Sequence, residues 1–386
     1  MDPGLAAAGR LRTVRVVIAP DSFGGTLAAA EAAEAIAAGW RDVAPADELV
    51  LRPLSDGGPG FLDILGPVLA GRKLAVSVSD PLGRPVSAHV LTDGTTAYIE
   101  CAQACGLHLV TEAERDPLRA TTYGVGQLLL AAVEAGARRV VVGLGGSATN
   151  DAGAGMLTAV GLSLLDGQGA PLPSGGGPLI ALERVVGSPL LRGVELIAAS
   201  DVDNPLVGLH GASAVFGPQK GADPDAVQRL DAALGRWAEI VERDVAGASR
   251  GLAQLPGGGA AGGLGAALFV LGASREQGLG LVMRLVGLDA ELDRADLVLT
   301  GEGSFDAQSL RGKVPGGVAA AAAERAVPCA VLAGQVSVGR RERAAAGVDA
   351  AYSMADEAGS VTAAMRDPGG TLTTVARRVA REWSRR

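Results

Sequence analysis

Hydrophobic positions along the chain gather into short runs that break abruptly into polar, glycine-rich turns. Val14 to Ala19 (VRVVIA) is β-branched and stops at PDSFGG, and an alanine-rich segment follows, TLAAAEAAEAIAAGW, with Thr26 as the expected N-cap. This spacing predicts strand, turn and helix. The unit recurs: Leu49 to Leu54 leads through SDGGPG to a helix over Phe61 to Leu69, and Arg139 to Leu144 leads through GGSATNDAGAG to a helix from Met156. Leu297 to Thr300 leads through GEGSFDAQSLRGKVPGG to a helix from Val318. Repeats of this kind build parallel sheets whose loops collect at the C-terminal ends of the strands.

Between Lys73 and Cys101 the period changes. KLAVSVSD, PVSAHVLTD and TTAYIEC alternate with period two between turn residues, which predicts an antiparallel patch. The earlier style resumes near Asp296, and PCAVLAGQVSVG, AAYSM and a last helix to Trp383 complete the first sheet. The expectation is an α/β chain with a discontinuous first domain, residues 1–73 and 292–386, interrupted by an inserted α/β domain with a mixed sheet, residues 74–291.

Composition agrees with that division. A chain of 386 residues exceeds one ordinary core, and 48% hydrophobic residues with only 3% aromatic and 57 glycines imply cores of Ala, Val and Leu between tight turns. A net charge of −8 argues against a nucleic-acid surface, so any anionic ligand is caught locally. Three cysteines, Cys101, Cys105 and Cys329, make neither a disulfide framework nor a zinc site, and with no export signal in MDPGLAAAGRLR the expected compartment is the cytoplasm. Cys101, Cys105 and His108 read as packing residues. Gly251 to Ser274 carries no charge, but Pro256 and eight glycines make it a buried loop entering a helix, not a membrane span.

A strand that ends in small residues and opens a helix presents backbone N–H groups and a positive helix end, a setting for phosphate. Gly143 to Gly155, GLGGSATNDAGAG, fits G-x-G-x-x-[GA] without the acidic residue of a dinucleotide site. Its Ser147, Thr149, Asn150 and Asp151 suit phosphate and magnesium better. The Walker pattern is absent, since Val314 follows Gly312-Lys313. In ASDVDNPLVG, Asp201 and Asp203 stand two apart at a strand edge, positioned to share a hard cation or to set one carboxylate beside a substrate hydroxyl; an Asx turn before Pro205 is the plainer reading. Lys220, between glycines in FGPQKGA, can reach a phosphate as a point charge. Only three lysines occur, Lys73, Lys220 and Lys313, against 31 arginines, so each is informative. Carboxylates, amide-rich loops and lysine are the parts that phosphoryl transfer needs, and His89, His108 and His210 have no triad partners.

In combination, APDSFGGTL, PLSDGGPG, DPLGRPV, ATTYGVGQL, GLGGSATNDAGAGM, DVDNPL, FGPQKGA, GGGAAGGLGAAL and TGEGSFDAQSLRGKVPGGVA make the chain resemble the glycerate kinase family from Val14 to its end. The resemblance implies a Rossmann/flavodoxin-like domain with an inserted second domain and an active site in the cleft between them. It also implies ATP-dependent phosphorylation of D-glycerate with magnesium, giving 2-phosphoglycerate, with 3-phosphoglycerate the other product to test. Partners are then glycerate and ATP, with no nucleic acid or membrane, in a monomer or homodimer. Carried over by motif, Asp201, Asp306 and Lys313 are catalytic candidates. Asp21, Ser22, Asp56, Gly57, Gly145, Gly146, Ser147, Asn150, Lys220 and Glu302 are expected to bind substrate or phosphate, and Asp201 and Asp203 the metal.

Two departures open a second reading. Members of the family read DSFKG and ADGGEGT where this chain reads DSFGG and SDGGPGF, so a lysine is replaced by Gly24 and a glutamate by Pro59. One charge of each sign is lost together, as expected of partners, because one alone would be stranded. A chain so altered could serve another small hydroxy acid, or bind a metabolite without turnover.

Overall fold

In chain order the strands are β1 (Arg15–Ile18), β2 (Glu48–Leu51), β3 (Arg72–Ser79), β4 (Pro85–Thr92), β5 (Thr96–Glu100), β6 (Arg139–Gly143), β7 (Leu162–Leu165), β8 (Arg184–Gly187), β9 (Glu195–Ala199), β10 (Ser274–Glu276), β11 (Leu297–Phe305), β12 (Cys329–Val336) and β13 (Ala350–Ser353). They come from a computed structural model that describes residues 13–191, 193–310 and 312–384. Contacts divide the chain into two units: one takes in the chain through Leu54 and again from Gly287, and the other runs from Ser55 to Val286.

The first unit carries a five-stranded sheet ordered β13-β12-β11-β1-β2, every pair parallel. Counted within the unit this is the 2-1-3-4-5 order of flavodoxin-like sheets, whose winding reverses between β1 and β11. The helix after β1, Ala29–Arg41, buries Ala29, Ala32, Ala33, Ile36, Ala37 and Trp40, a stripe of helical period. That stripe packs on the terminal helix Pro368–Trp383 through Leu372, Val375, Ala376 and Val379. Buried Trp40 donates its indole N–H to Asp47 at 3.0 Å. The expected cap is displaced: the helix starts after Ala28, whose N–H is accepted by Glu31 at 2.8 Å, while the Thr26 hydroxyl donates to the Phe23 carbonyl.

GEGSF reads as a turn yet lies in β11. Pairing with β12 continues from Val298↔Cys329 to Phe305↔Val336, and burial of Phe305 holds the extension in place. The turn begins at Asp306, whose Oδ1 accepts from the Gln308 N–H at 2.7 Å. Helix Val314–Ala323 starts four residues before the expected Val318, with Pro315 in the first turn, where no N–H is required.

The second unit has a six-stranded sheet ordered β10-β9-β6-β5-β4-β3 and a small β7–β8 pair. β10, β9, β6 and β5 are parallel; β5, β4 and β3 are antiparallel, the patch that the period-two stretch predicts. β6 reads RVVVG with its last four residues buried, as a strand covered on both faces must. Contacts change unit after Leu54 instead of after Lys73, because β3 joins the second sheet and helix Phe61–Leu69 packs on β5 and on helix Gly278–Leu285. At the other end the change falls before Gly287, not at 292, since Glu291 pairs with Arg15 and Arg52 of the first unit. Among the described residues no helix is long and apolar enough to cross a membrane, and the glycine-rich Ala260–Val270 helix is nearly all buried in the second core.

Candidate functional site

In the second unit, Glu100, Gly143, Ala199 and Glu276 form one row across four parallel strands, the last pair of each ladder. Beyond that row the chain leaves the sheet as loops, so side chains from distant parts of the sequence share one edge. Asp201 stands two residues past β9, and its Oδ2 accepts from the Leu279 N–H at 2.9 Å, in the first turn of helix Gly278–Leu285. The turn Asp56–Gly60 closes on the same place. A Cβ on Gly278 would lie 2.1 Å from the Asp56 carbonyl oxygen and 3.2 Å from Asp201 Oδ2, so only glycine permits the approach. Desolvation, and after it the charge of Asp56, pushes Asp201 up to about 6.

Asp203 does not join it. The strand ends at Ala199, so the two aspartates do not alternate as strand neighbours; Asp203 is exposed and pairs with Arg275 at 2.6 Å. The loop after β6 shows only its glycines, Gly145 half-buried and Gly146 exposed. Its polar residues turn inward. Lys220, expected to reach a ligand, is 2% exposed and donates to Ser147 Oγ at 2.9 Å and to the Thr149 carbonyl at 2.6 Å. Burial lowers it to about 8. Asn150 is buried and donates to Ser213 Oγ, and Asp151 accepts from Thr122, Gly153 and Gly155. Ser147, Asn150 and Lys220 are thus buried and hydrogen-bonded within the second unit, which sequence does not reveal because it shows charge without burial.

Glu100 escaped the sequence reading. Its carboxylate, 5% exposed at the end of β5, accepts from the Gly60 N–H at 3.2 Å and so braces the Asp56–Gly60 turn. Burial raises it to about 7 against the opposing pull of the Leu62 and Gly60 amides. The folded state thus holds this proton at pH values where the unfolded chain has lost it. Stability falls as pH rises from about 4.5 to about 7, by up to about 3 kcal/mol. Glu100→Gln is expected to flatten that slope and to raise stability above pH 7; urea titrations of both proteins from pH 5 to 8 check it, and parallel curves would refute it.

In the first unit the turn after β1, the end of β11 and Lys313 line a cavity of about 440 Å³. The Asp21 N–H donates to the Gly301 carbonyl at 2.8 Å, joining the two strand ends. Ser22, Gly24, Glu302 and Lys313 line the cavity, with Glu302 only 5% exposed. Asp306 is outside the lining, its Oδ1 taken by the N–H groups of Gln308 and Ser309. Met354, Val361, Ala364 and Met365 complete one wall, and nothing in SMADEAGSVTAAM marks them in sequence. Of the three lysines, Lys73 pairs with Asp63, Lys220 is interior, and Lys313 lines this cavity.

A family model described as the glycerate kinase family matches residues 16–384. Glycerate kinase of Halalkalibacterium halodurans is 43% identical over 95% of this chain and 97% of its own. Glycerate 2-kinase of Escherichia coli K12 is 39% identical over 95% and 97%. A crystal structure described as a "putative glycerate kinase 2" from Salmonella typhimurium LT2 superposes with a TM-score of 0.78 at 40% identity, covering 96% of this chain and 98% of that one.

Proposed function

The chain belongs to the glycerate kinase family, and from that premise we propose that it transfers the γ-phosphoryl group of ATP to the 2-hydroxyl of D-glycerate, with magnesium. The observation that carries this is the approach of Asp56 and Asp201 at one sheet edge, where the Asp56 charge raises Asp201, the Gly58 N–H donates to Asp56 and the Leu279 N–H donates to Asp201. Asp201, desolvated and raised toward neutrality, takes the proton of the attacking hydroxyl. Magnesium fits the donor set: this ion needs one or two carboxylates, with phosphate and water oxygens for the rest. Asp56 would hold it, and the ion when bound neutralises phosphate charge. Within the second unit the Gly145-Gly146 turn offers backbone N–H groups to phosphate; within the first, Lys313 presents an ammonium to its own cavity. Asp306, whose Oδ1 is engaged by turn amides, closes the Lys313 turn instead of acting as base. The 2-hydroxyl is favoured by the relative named glycerate 2-kinase. The test is ADP release with D-glycerate, ATP and magnesium, with the product identified by NMR. A 3-phosphoglycerate product would overturn the regiochemistry, and no ADP the reaction.

A second reading, an altered acceptor, draws on Gly24, which lines the first unit's cavity at φ +54° with nothing near where a Cβ would stand. Space for a side chain is there, but a left-handed lysine would cost roughly 1–2 kcal/mol. Gly24→Lys combined with Pro59→Glu is expected to lower thermal stability and to leave the KM for glycerate within threefold. A tenfold fall in KM would show that the native chain is tuned to another acid.

A further inference from the structure

We propose that the cavity of the first unit receives the nucleoside half of the nucleotide, with the base against Met354, Val361 and Met365 and the ribose beside Glu302. The inference rests on the kinase reading and specifies where one of its two substrates binds. Four observations carry it. The cavity lies over the C-terminal ends of β1, β11 and β12, beside the β1–β11 point where the sheet's winding reverses, and open α/β sheets bind ligands at the C-terminal strand ends near such a point. About 440 Å³ is in the range of small-molecule sites and generous for a three-carbon acid, which would leave the apolar wall facing water. Val361 and Met365 are 37% and 58% exposed at the cavity, apolar surface that a base would cover and a thioether can meet favourably. Lys313, in the same lining, suits the phosphates that follow the ribose.

The test uses the full chain. Met365→Trp places an indole at the cavity as a reporter, and Ala364→Phe fills the space. Adding ADP is expected to change the fluorescence of the tryptophan variant beyond the change seen in the native protein, and adding D-glycerate is not. Ala364→Phe is expected to weaken ADP binding by calorimetry tenfold or more, with the KM for glycerate within twofold. Response of the indole to glycerate but not to ADP would overturn the proposal, as would native ADP affinity in a folded Ala364→Phe; should that variant fail to fold, the reporter decides. The kinase reading is judged separately, by ADP formation in the native protein, so a native enzyme that turns over glycerate while the indole ignores ADP sinks this inference alone.

Discussion

Asp201→Asn is expected to lower kcat by about 10²–10⁴-fold, the usual worth of a positioned proton acceptor, with no loss of thermal stability. Both halves follow from the same surroundings. The Leu279 N–H that Asp201 accepts can be accepted equally by the asparagine carbonyl, so the helix start keeps its partner. Burial and the charge of Asp56 oppose ionisation of Asp201, so a neutral amide removes an unfavourable charge. Coupled assays of ADP release, read with thermal melts, check the prediction. A variant that loses activity only in step with its melting temperature would make Asp201 a structural residue, and one that keeps native kcat would remove it from the chemistry.

Lys313→Ala is expected to reduce kcat/KM for ATP by about 10²–10³-fold, the range seen when one preorganised group that stabilises transition-state charge is removed. Lys313→Arg should recover only part, because a planar fork replaces a compact point charge. Lys73→Ala serves as the control: Lys73 pairs with Asp63 on the surface, and exposed pairs contribute little. Equal losses in both alanine variants would mean a diffuse field and not a contact at Lys313.

Much of this was legible in the residues, for reasons that also explain the rest. Alternating apolar positions gave the antiparallel β3–β5 patch, and alanines at helical spacing gave Ala29–Arg41. The five parallel strands of the first unit followed from runs that ended in polar turns. Gly-Glu-Gly misled because the glycines of β11 are there for close approach: a Cβ on Gly303 would stand 3.0 Å from the Gly24 nitrogen, which a turn propensity cannot express. The burial of Lys220 was not legible because a lysine beside glycine looks exposed, whereas Ser147 and Thr149 hold it in the interior. Asp203 depends on Arg275, and the cavity wall on Met354 and Met365, partners that only the folded chain brings near.

The first unit's sheet is assembled from segments on either side of Ser55–Val286, with β1 flanked by β2 from the earlier segment and by β11 from the later one. During synthesis, β1 and β2 therefore emerge with one edge bare until residues beyond Leu297 leave the ribosome, whereas the contiguous Ser55–Val286 segment can condense earlier. A nascent chain halted before β11 would hold an exposed parallel edge for chaperones to shield, and ribosome-stalled intermediates should become protease-resistant first in the middle of the sequence.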